Sequence, residues 1–332
     1  MKEVVKVDGS RARDVLAVGR CGVDLYPLQS GVRLEDVTTF GKFLGGSATN
    51  VAVACARYGR DVAVLTGVGD DPFGRFVVSE LRRLGVDASH VVTNDDFNTP
   101  VAFCEIFPPD DFPLYFYRQP TTPDLELRPE DLPEDLERST ILWLTVSGLA
   151  VEPSRATHQA ALARHPDGLT VLDLDYRPRF WPDEQTASRV VAEALEKVDV
   201  AIGNLEECRI AVGETDPERA ADALLDRGVQ IAFVKQGMTG TLAKSRTEST
   251  FVPSFPIDVV NGLGAGDAFG GAVCHGLLNG WDIERIVAFA SAAGALVASR
   301  LECSTAMPYQ SEVEELLARN GWHDGRPPRG RP

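Results

Sequence analysis

The chain has 332 residues, and its 33 lysines and arginines against 49 aspartates and glutamates give a formal net charge of −16. Apolar residues at 44% and charged residues at 25% are globular proportions, enough for about two structural units around a large core, which excludes disorder for most of the length. The acidic balance argues against nucleic acid or an anionic membrane as the main partner, because both call for a basic surface; an acidic substrate would need positive charge concentrated locally.

In chain order, the first twenty residues carry scattered charges and no long apolar run, so no secretory signal is expected. Val15–Gly19 reads as a short buried strand and Ser47–Tyr58 as a helix of small and apolar residues. Val62–Leu65 reads as a strand, Phe73–Leu84 as an amphipathic helix, and Val91 with Val92 as the start of another strand. Further β-rich runs are Ile141–Val146, Thr170–Leu174, Val198–Gly203 and Gln230–Lys235, with helical patterns between them at Ser188–Lys197 and Glu218–Arg227. Three helices close the order: Asp267–Leu278, Ile283–Ser299 and Ser311–Asn320. The uncharged stretch Ile286–Ser299 is shorter than the roughly 20 residues a bilayer requires, so it reads as a buried helix. The alternation implies an α/β fold with a central, mostly parallel sheet flanked by helices on both faces.

Two segments interrupt the rhythm. Pro27–Leu44 and Asn98–Thr122 carry alternating or aromatic β patterns with no helix between strands, and the second suggests a hairpin turning at Pro108–Pro113. They predict a small β lid (28–44 and 98–122) over a core made of 1–27, 45–97 and 123–320, with a flexible Gly/Pro/Arg-rich tail at 321–332. Cys21, Cys55, Cys104, Cys208, Cys274 and Cys303 form no CxxC pair and read as reduced, mostly buried thiols of a cytoplasmic protein. The histidines show no metal-ligand spacing.

The strongest local motif is Asn261-Gly262-Leu263-Gly264-Ala265-Gly266-Asp267, which runs straight into an apolar helix. The free amides of Gly264, Ala265 and Gly266 at such a helix start form an anion hole. Asp267 then has two readings: a first-turn charge that stabilises the helix, or a general base for a hydroxyl attacking a phosphoryl group. No GxxxxGK[ST] occurs, and Gly67-Val68-Gly69 has Pro72 where a dinucleotide fingerprint needs glycine. Gly45-Gly46 opens the helix bearing Asn50, either for close packing or to let a polar ligand reach Gly46 and hydrogen-bond Asn50. Asp24 follows the first strand, at the end of a parallel sheet where ligands bind, and a carboxylate suits sugar hydroxyls. In Asn204-Leu205-Glu206-Glu207, Glu207 is either an acidic first-turn residue or a holder of magnesium-bound water. Lys235 ends a strand before Gly237 and Gly240, where it can face phosphate while the glycines let nucleotide lie over the backbone.

Taken in this order, Gly45–Asn50 (GG-x-x-x-N), Asn204–Glu207 (N-x-x-E) and Gly264–Asp267 (GAGD) resemble the ribokinase-like (PfkB) carbohydrate kinase family, over about residues 14–318. The resemblance implies that Asp267 is the catalytic base and that Gly264, Ala265 and Gly266 stabilise the transferred phosphoryl group. It implies that Asp24, Gly45, Gly46 and Asn50 bind the sugar. ATP would meet Asn204, Lys235, Gly237, Gly240 and the region of Ser291, with Mg²⁺ held through water by Glu207. Within the family, Phe107–Arg118, Val37–Leu44 and Leu172–Trp181 look most like the 5-dehydro-2-deoxygluconokinase branch of inositol catabolism. Phe116-Tyr117-Arg118 and Asp173–Arg177 match elements with which the neighbouring 2-keto-3-deoxygluconate kinases hold the acid end of the sugar, which implies substrate contacts for Tyr117, Arg118 and Arg177. A guanidinium pairs bidentately with a carboxylate. The residue-level alternatives are a lid surface salt bridge for Arg118 and pairing with Asp173 or Asp175 for Arg177. Other sugar kinases and a non-catalytic sugar-binding regulator are the competing readings. Asn261-Gly262 stands where the family has Asp-Thr, and Arg300–Ser304 lacks the usual glycine, which puts a monovalent-cation site in doubt. The aromatic lid is expected to pair with a second copy as a homodimer.

Overall fold

The strands alternate their side chains between two apolar layers, and that alternation builds the domain. In β1 (Arg13–Val18), Val15 and Ala17 join one buried cluster while Leu16 and Val18 join the other. The same holds in β8 (Ser139–Thr145), where Ile141 and Trp143 face opposite to Leu142 and Leu144. The structure is a computed structural model and describes residues 11–322.

The large sheet takes β1 together with β4 (Val62–Gly69), β5 (Val91–Asn94), β8, β9 (Leu169–Asp173), β10 (Val200–Asn204) and β11 (Ile231–Lys235). These strands run parallel in the order β11-β10-β9-β8-β1-β4-β5. The antiparallel strands β12 (Gly240–Ser245) and β13 (Ser249–Pro253) extend it beyond β11. This edge hairpin is absent from the sequence-based reading. Its outer strand is half exposed and short on apolar residues, so it carries little periodic signal. One face is covered by α1 (Ser47–Arg57), α2 (Pro72–Arg83), α7 (Ala265–Leu278), α8 (Ile283–Ala298) and α9 (Gln310–Arg319). The other is covered by α3 (Ser154–Ala163), α4 (Glu184–Leu195), α5 (Leu205–Val212) and α6 (Pro217–Asp226). Helix starts follow local chemistry. The Asp71 carboxylate accepts from the Gly74 amide at 2.7 Å ahead of Pro72, and Asp183, Asp216 and Asp282 cap α4, α6 and α8 in the same way. The apolar run expected as a buried helix is α8; no described helix is long and apolar enough to cross a membrane.

The second sheet has four strands in the order β3-β2-β6-β7: β3 (Phe40–Gly45), β2 (Gly22–Pro27), β6 (Val101–Cys104) and β7 (Leu114–Tyr117). It takes in Gly22–Pro27, residues expected with the core. Asp24 therefore sits on the small sheet and not at the end of the first core strand. The chain leaves β1 at Val18, turns through Gly19–Cys21 and enters the small sheet at once, a break too short to show in hydropathy. A separate apolar cluster of Tyr26, Cys104, Ile106 and Cys303 joins this sheet to the loop before α9. All six cysteines are free and buried. Of the expected tail 321–332, residues 323–332 lie outside the described residues, while Trp322 packs against Phe255 with ring centroids 6.2 Å apart.

Candidate active site

The carboxyl ends of the parallel strands and the inner face of the small sheet flank a cleft. Arg20, Asp24, Gly46, Asn50, Arg118, Arg177, Gly264 and Asp267 all line it. A second groove is lined by Lys235, Gly237, Gly240, Ala265, Gly266 and Ser291. The start of α7 separates the two: Gly264 and Asp267 face the cleft, and Ala265 and Gly266 face the groove. Gly264 adopts φ 80°, and a Cβ there would lie 2.8 Å from Cys303 Sγ, so glycine is required for the turn. No side chain caps α7, which leaves its first amides available to an anion.

Asp267 is the third residue of α7, yet its carboxylate does not cap the helix. It accepts a hydrogen bond from Asn50 Nδ2 at 2.7 Å, and Ser304 Oγ donates to Asn50 Oδ1. Burial is the largest influence on Asp267 and pushes its pKa up to about 6, while Asn50 opposes the rise. Asn50 thus orients the carboxylate and favours its charged form. Replacing Asn50 with Ala removes that donor, raises the pKa of Asp267 and moves the acid limb of kcat/KM to higher pH. At pH 6 the loss should be ~10-fold and at pH 8 clearly smaller, measured by a pH–rate profile. A uniform loss at every pH would deny Asn50 this role.

On β2, the Asp24 carboxylate accepts from Tyr26 Oη at 2.7 Å, and burial pushes its pKa up to about 6. Tyr26 Oη also lies 2.8 Å from Cys303 Sγ. A Cβ on Gly45 would overlap the Asp24 carboxyl group at 2.2 Å, so Gly45 makes room for that side chain. Gly46 adopts φ 101°, and a Cβ there would lie 2.5 Å from the Arg20 carbonyl oxygen.

The expected acid-binding residues divide. Arg118 and Arg177 both line the cleft and both are ion-paired: Arg177 with Asp175, one of its alternative readings, and Arg118 in a buried pair with Asp124 rather than on the lid surface. Arg118 Nη2 lies 2.5 Å from Asp124 Oδ2, and Arg177 Nη2 lies 2.6 Å from Asp175 Oδ1. Tyr117 is not in the cleft: it is 67% exposed on the outer face of the small sheet. Strand alternation is the reason, since Leu114, Phe116 and Arg118 share the inner face and Tyr117 falls between them. Arg20 escaped the sequence reading, although it stands just past β1, where a parallel sheet places its ligands. It pairs with Asp175 Oδ2 at 2.6 Å, its Nε donates to Ser147 Oγ at 3.0 Å, and its guanidinium lies 5.9 Å and 5.6 Å from the Phe116 and Phe180 ring centroids. Tyr26 was also missed; as the second residue after Asp24 on one strand it shares that residue's face, a cue the sequence does carry.

Around the groove, Lys235 Nζ would lie 3.2 Å from a Cβ on Gly266. Burial works against its charge, but Asp173, Glu207 and Asp267 outweigh it and hold the Lys235 pKa above its ordinary value. Ser291 Oγ is buried in the groove without a partner among the described residues. Asn204 and Glu207 form a capping box on α5: Glu207 N donates to Asn204 Oδ1 at 2.9 Å and Asn204 N donates to Glu207 Oε2 at 2.7 Å. Neither residue lines the cleft or the groove. Burial, reinforced by Glu207 and Asp175 against Lys235, raises the pKa of Asp173. No cluster of three or more His, Cys, Asp or Glu among the described residues could hold a metal alone.

The model of pfkB family carbohydrate kinases matches residues 12–310. The chain belongs to that family. It is 36% identical over 319 residues to a 5-dehydro-2-deoxygluconokinase of Geobacillus thermodenitrificans strain NG80-2, covering 93% of this chain and 94% of the relative. It is 30% identical over 314 residues to one of Bacillus subtilis strain 168, covering 92% and 96%. A fructokinase of Vibrio cholerae O395, solved with fructose, ADP and calcium ion, aligns with TM-score 0.81 at 28% identity over 92% of this chain and 98% of that one. As a carbohydrate kinase of this family, the chain is a phosphotransferase with an alcohol acceptor.

Proposed function

We propose that this kinase phosphorylates 5-dehydro-2-deoxy-D-gluconate with ATP. One observation carries the reading: the uncapped start of α7 stands between two recesses, with its carboxylate toward one and its amides toward the other. A hydroxyl donor and a phosphoryl donor meet across that point. The sugar's terminal hydroxyl gives its proton to Asp267 as its oxygen attacks the γ-phosphorus, and ADP leaves with the electrons of the broken P–O bond. The amides of Gly264, Ala265 and Gly266 meet the charge on the transferred group, with Lys235 beside them. Asp24, with Gly45 and Gly46 clearing space around it, takes the other hydroxyls, and Arg177 at the cleft wall takes the carboxylate. The substrate class rests on the names of the relatives and on that guanidinium, which a neutral sugar would not need.

ATP would occupy the groove, its phosphates toward Lys235 and Gly266 and its base toward Ser291, whose unpartnered hydroxyl can hydrogen-bond it; Gly237 and Gly240 let it lie against the backbone. The lack of a protein-only cage among the described residues suits Mg²⁺, which keeps most of its waters and takes one or two carboxylates plus phosphates. Glu207, engaged through one oxygen only, is the carboxylate proposed to hold it through water, with Asn204 beside it. Bound there, the ion would neutralise phosphate charge.

The outer face of the small sheet carries an aromatic ladder, Phe40–Phe103 at 5.6 Å and Phe103–Tyr117 at 5.3 Å, with Leu28 exposed nearby. It supports a homodimer through this sheet. ADP release over a panel of sugar acids and neutral hexoses, with and without potassium, tests the function. Turnover confined to the keto-deoxy acid is expected; preference for a neutral hexose would overturn it.

A further inference from the structure

The three guanidinium groups of the cleft do not share their counter-ions evenly. Arg118 is matched one to one by Asp124, both side chains buried, at 2.5 Å. Arg20 and Arg177 divide a single carboxylate: Asp175 Oδ2 lies 2.6 Å from Arg20 Nη2, and Asp175 Oδ1 lies 2.6 Å from Arg177 Nη2. One carboxylate balances one of the two, so this triplet keeps a positive charge in excess. The neighbouring Asp173 does not cancel it, because burial favours its neutral form and Lys235 stands against it. Glu207 and Asp267 also act on Arg177 through space, and Asp24 and Asp267 on Arg20, but Asp175 is the carboxylate that ion-pairs with either arginine among the described residues.

Arg20 is also the most firmly built of the three. It is 6% exposed, its Nε is held by Ser147 Oγ, and Ser147 Oγ in turn donates to Asp175 Oδ2 at 3.0 Å. Phe116 of the small sheet and Phe180 of the core flank its guanidinium. Its Nη1 hydrogen-bonds no described residue, and Arg20 lines the cleft. A rigid guanidinium with one donor nitrogen unused and a net charge to offset is what a substrate carboxylate requires.

We propose that Arg20, acting with Arg177, recognises the acid end of the substrate and sets the preference for a sugar acid over a neutral sugar, while Arg118 serves as a strut locked by Asp124. The inference rests on the sugar-acid reading above. Its test measures kcat and KM for 5-dehydro-2-deoxygluconate and for the neutral analogue with a hydroxymethyl group in place of the carboxylate. The proteins are the wild type, Arg20→Gln, Arg20→Lys and the double variant Arg118→Met/Asp124→Leu, each checked by thermal melting. Arg20→Gln should raise KM for the acid roughly 30-fold or more and change KM for the neutral analogue less than about threefold. Arg20→Lys, which keeps the charge and loses the fork, should fall between Gln and wild type and still reports if Gln does not fold. The double variant should keep its acid preference within about threefold of wild type, as expected of a charge that was already balanced. If both Arg20 variants keep the wild-type preference, or lose acid and neutral substrates alike, or if the double variant alone loses the preference, the assignment of Arg20 is wrong. A wild-type enzyme that favours the neutral analogue would instead remove the sugar-acid reading itself.

Discussion

Asp267→Asn is expected to fold, bind sugar and nucleotide, and lose about 10³-fold in kcat. The two side chains have nearly the same shape, and Asn50 still has Ser304 as a partner, so the start of α7 should stay in place. What disappears is the carboxylate at the α7 start that lines the cleft. The uncapped amides at the α7 start are untouched, so binding should survive, and a KM within a few-fold of wild type separates loss of chemistry from loss of binding. The pH profile adds an independent sign. Asp267 must be ionised to accept a proton, and burial has raised its pKa to about 6, so wild-type kcat/KM should fall as pH drops below about 6. In the variant, the part of this limb that belongs to Asp267 should vanish, leaving any contribution from Asp24, whose pKa is also raised to about 6. A variant with near-normal kcat would leave α7 without a base.

Asp124→Ala should cost about 3 kcal/mol of stability, or a fall of roughly 6–10 °C in Tm, far more than an ordinary surface change. Asp124 is fully buried, and its partner Arg118 is 8% exposed. Removing Asp124 leaves the Arg118 charge mostly buried in the cleft wall without its counter-ion. The double replacement Arg118→Met/Asp124→Leu should recover most of the loss, because an apolar pair has no charge to desolvate. Denaturant unfolding with an unchanged m-value is the check. A loss below about 1 kcal/mol would mean that Arg118 reaches solvent and is free to serve the substrate.

Both results bear on the surplus of acid in the composition. The net charge of −16 describes the surface, while the cleft gathers Arg20, Arg118 and Arg177. Yet each of these is already ion-paired, and the field a substrate meets depends on how few carboxylates are divided among them. Counting arginines in the sequence overstates the positive charge; counting partners locates it.

Much of this molecule was legible in its residues because the signals are local. Strand and helix periodicity reports which layer a side chain joins, so the parallel core and its flanking helices follow from it, while the order of strands across the sheet does not. Glycine motifs report backbone shape, so the start of α7 and the turns lining the groove were placed before any coordinates. What the sequence did not decide depends on contacts between distant segments. That the Asp267 carboxylate turns into the cleft instead of capping its helix depends on Asn50, 217 residues away. Whether Arg118 and Arg177 are free or paired was settled by Asp124 and Asp175. Arg20, with no motif of its own, became part of the site only when β9 and the small sheet closed over it. Tyr117 and Phe116 differ by one position, and the strand's twofold period, anchored by pairing with β6, sent one out and the other in. Periodicity and motifs belong to neighbours along the chain, whereas charge balance and register belong to neighbours in space, and only the folded chain brings the latter together.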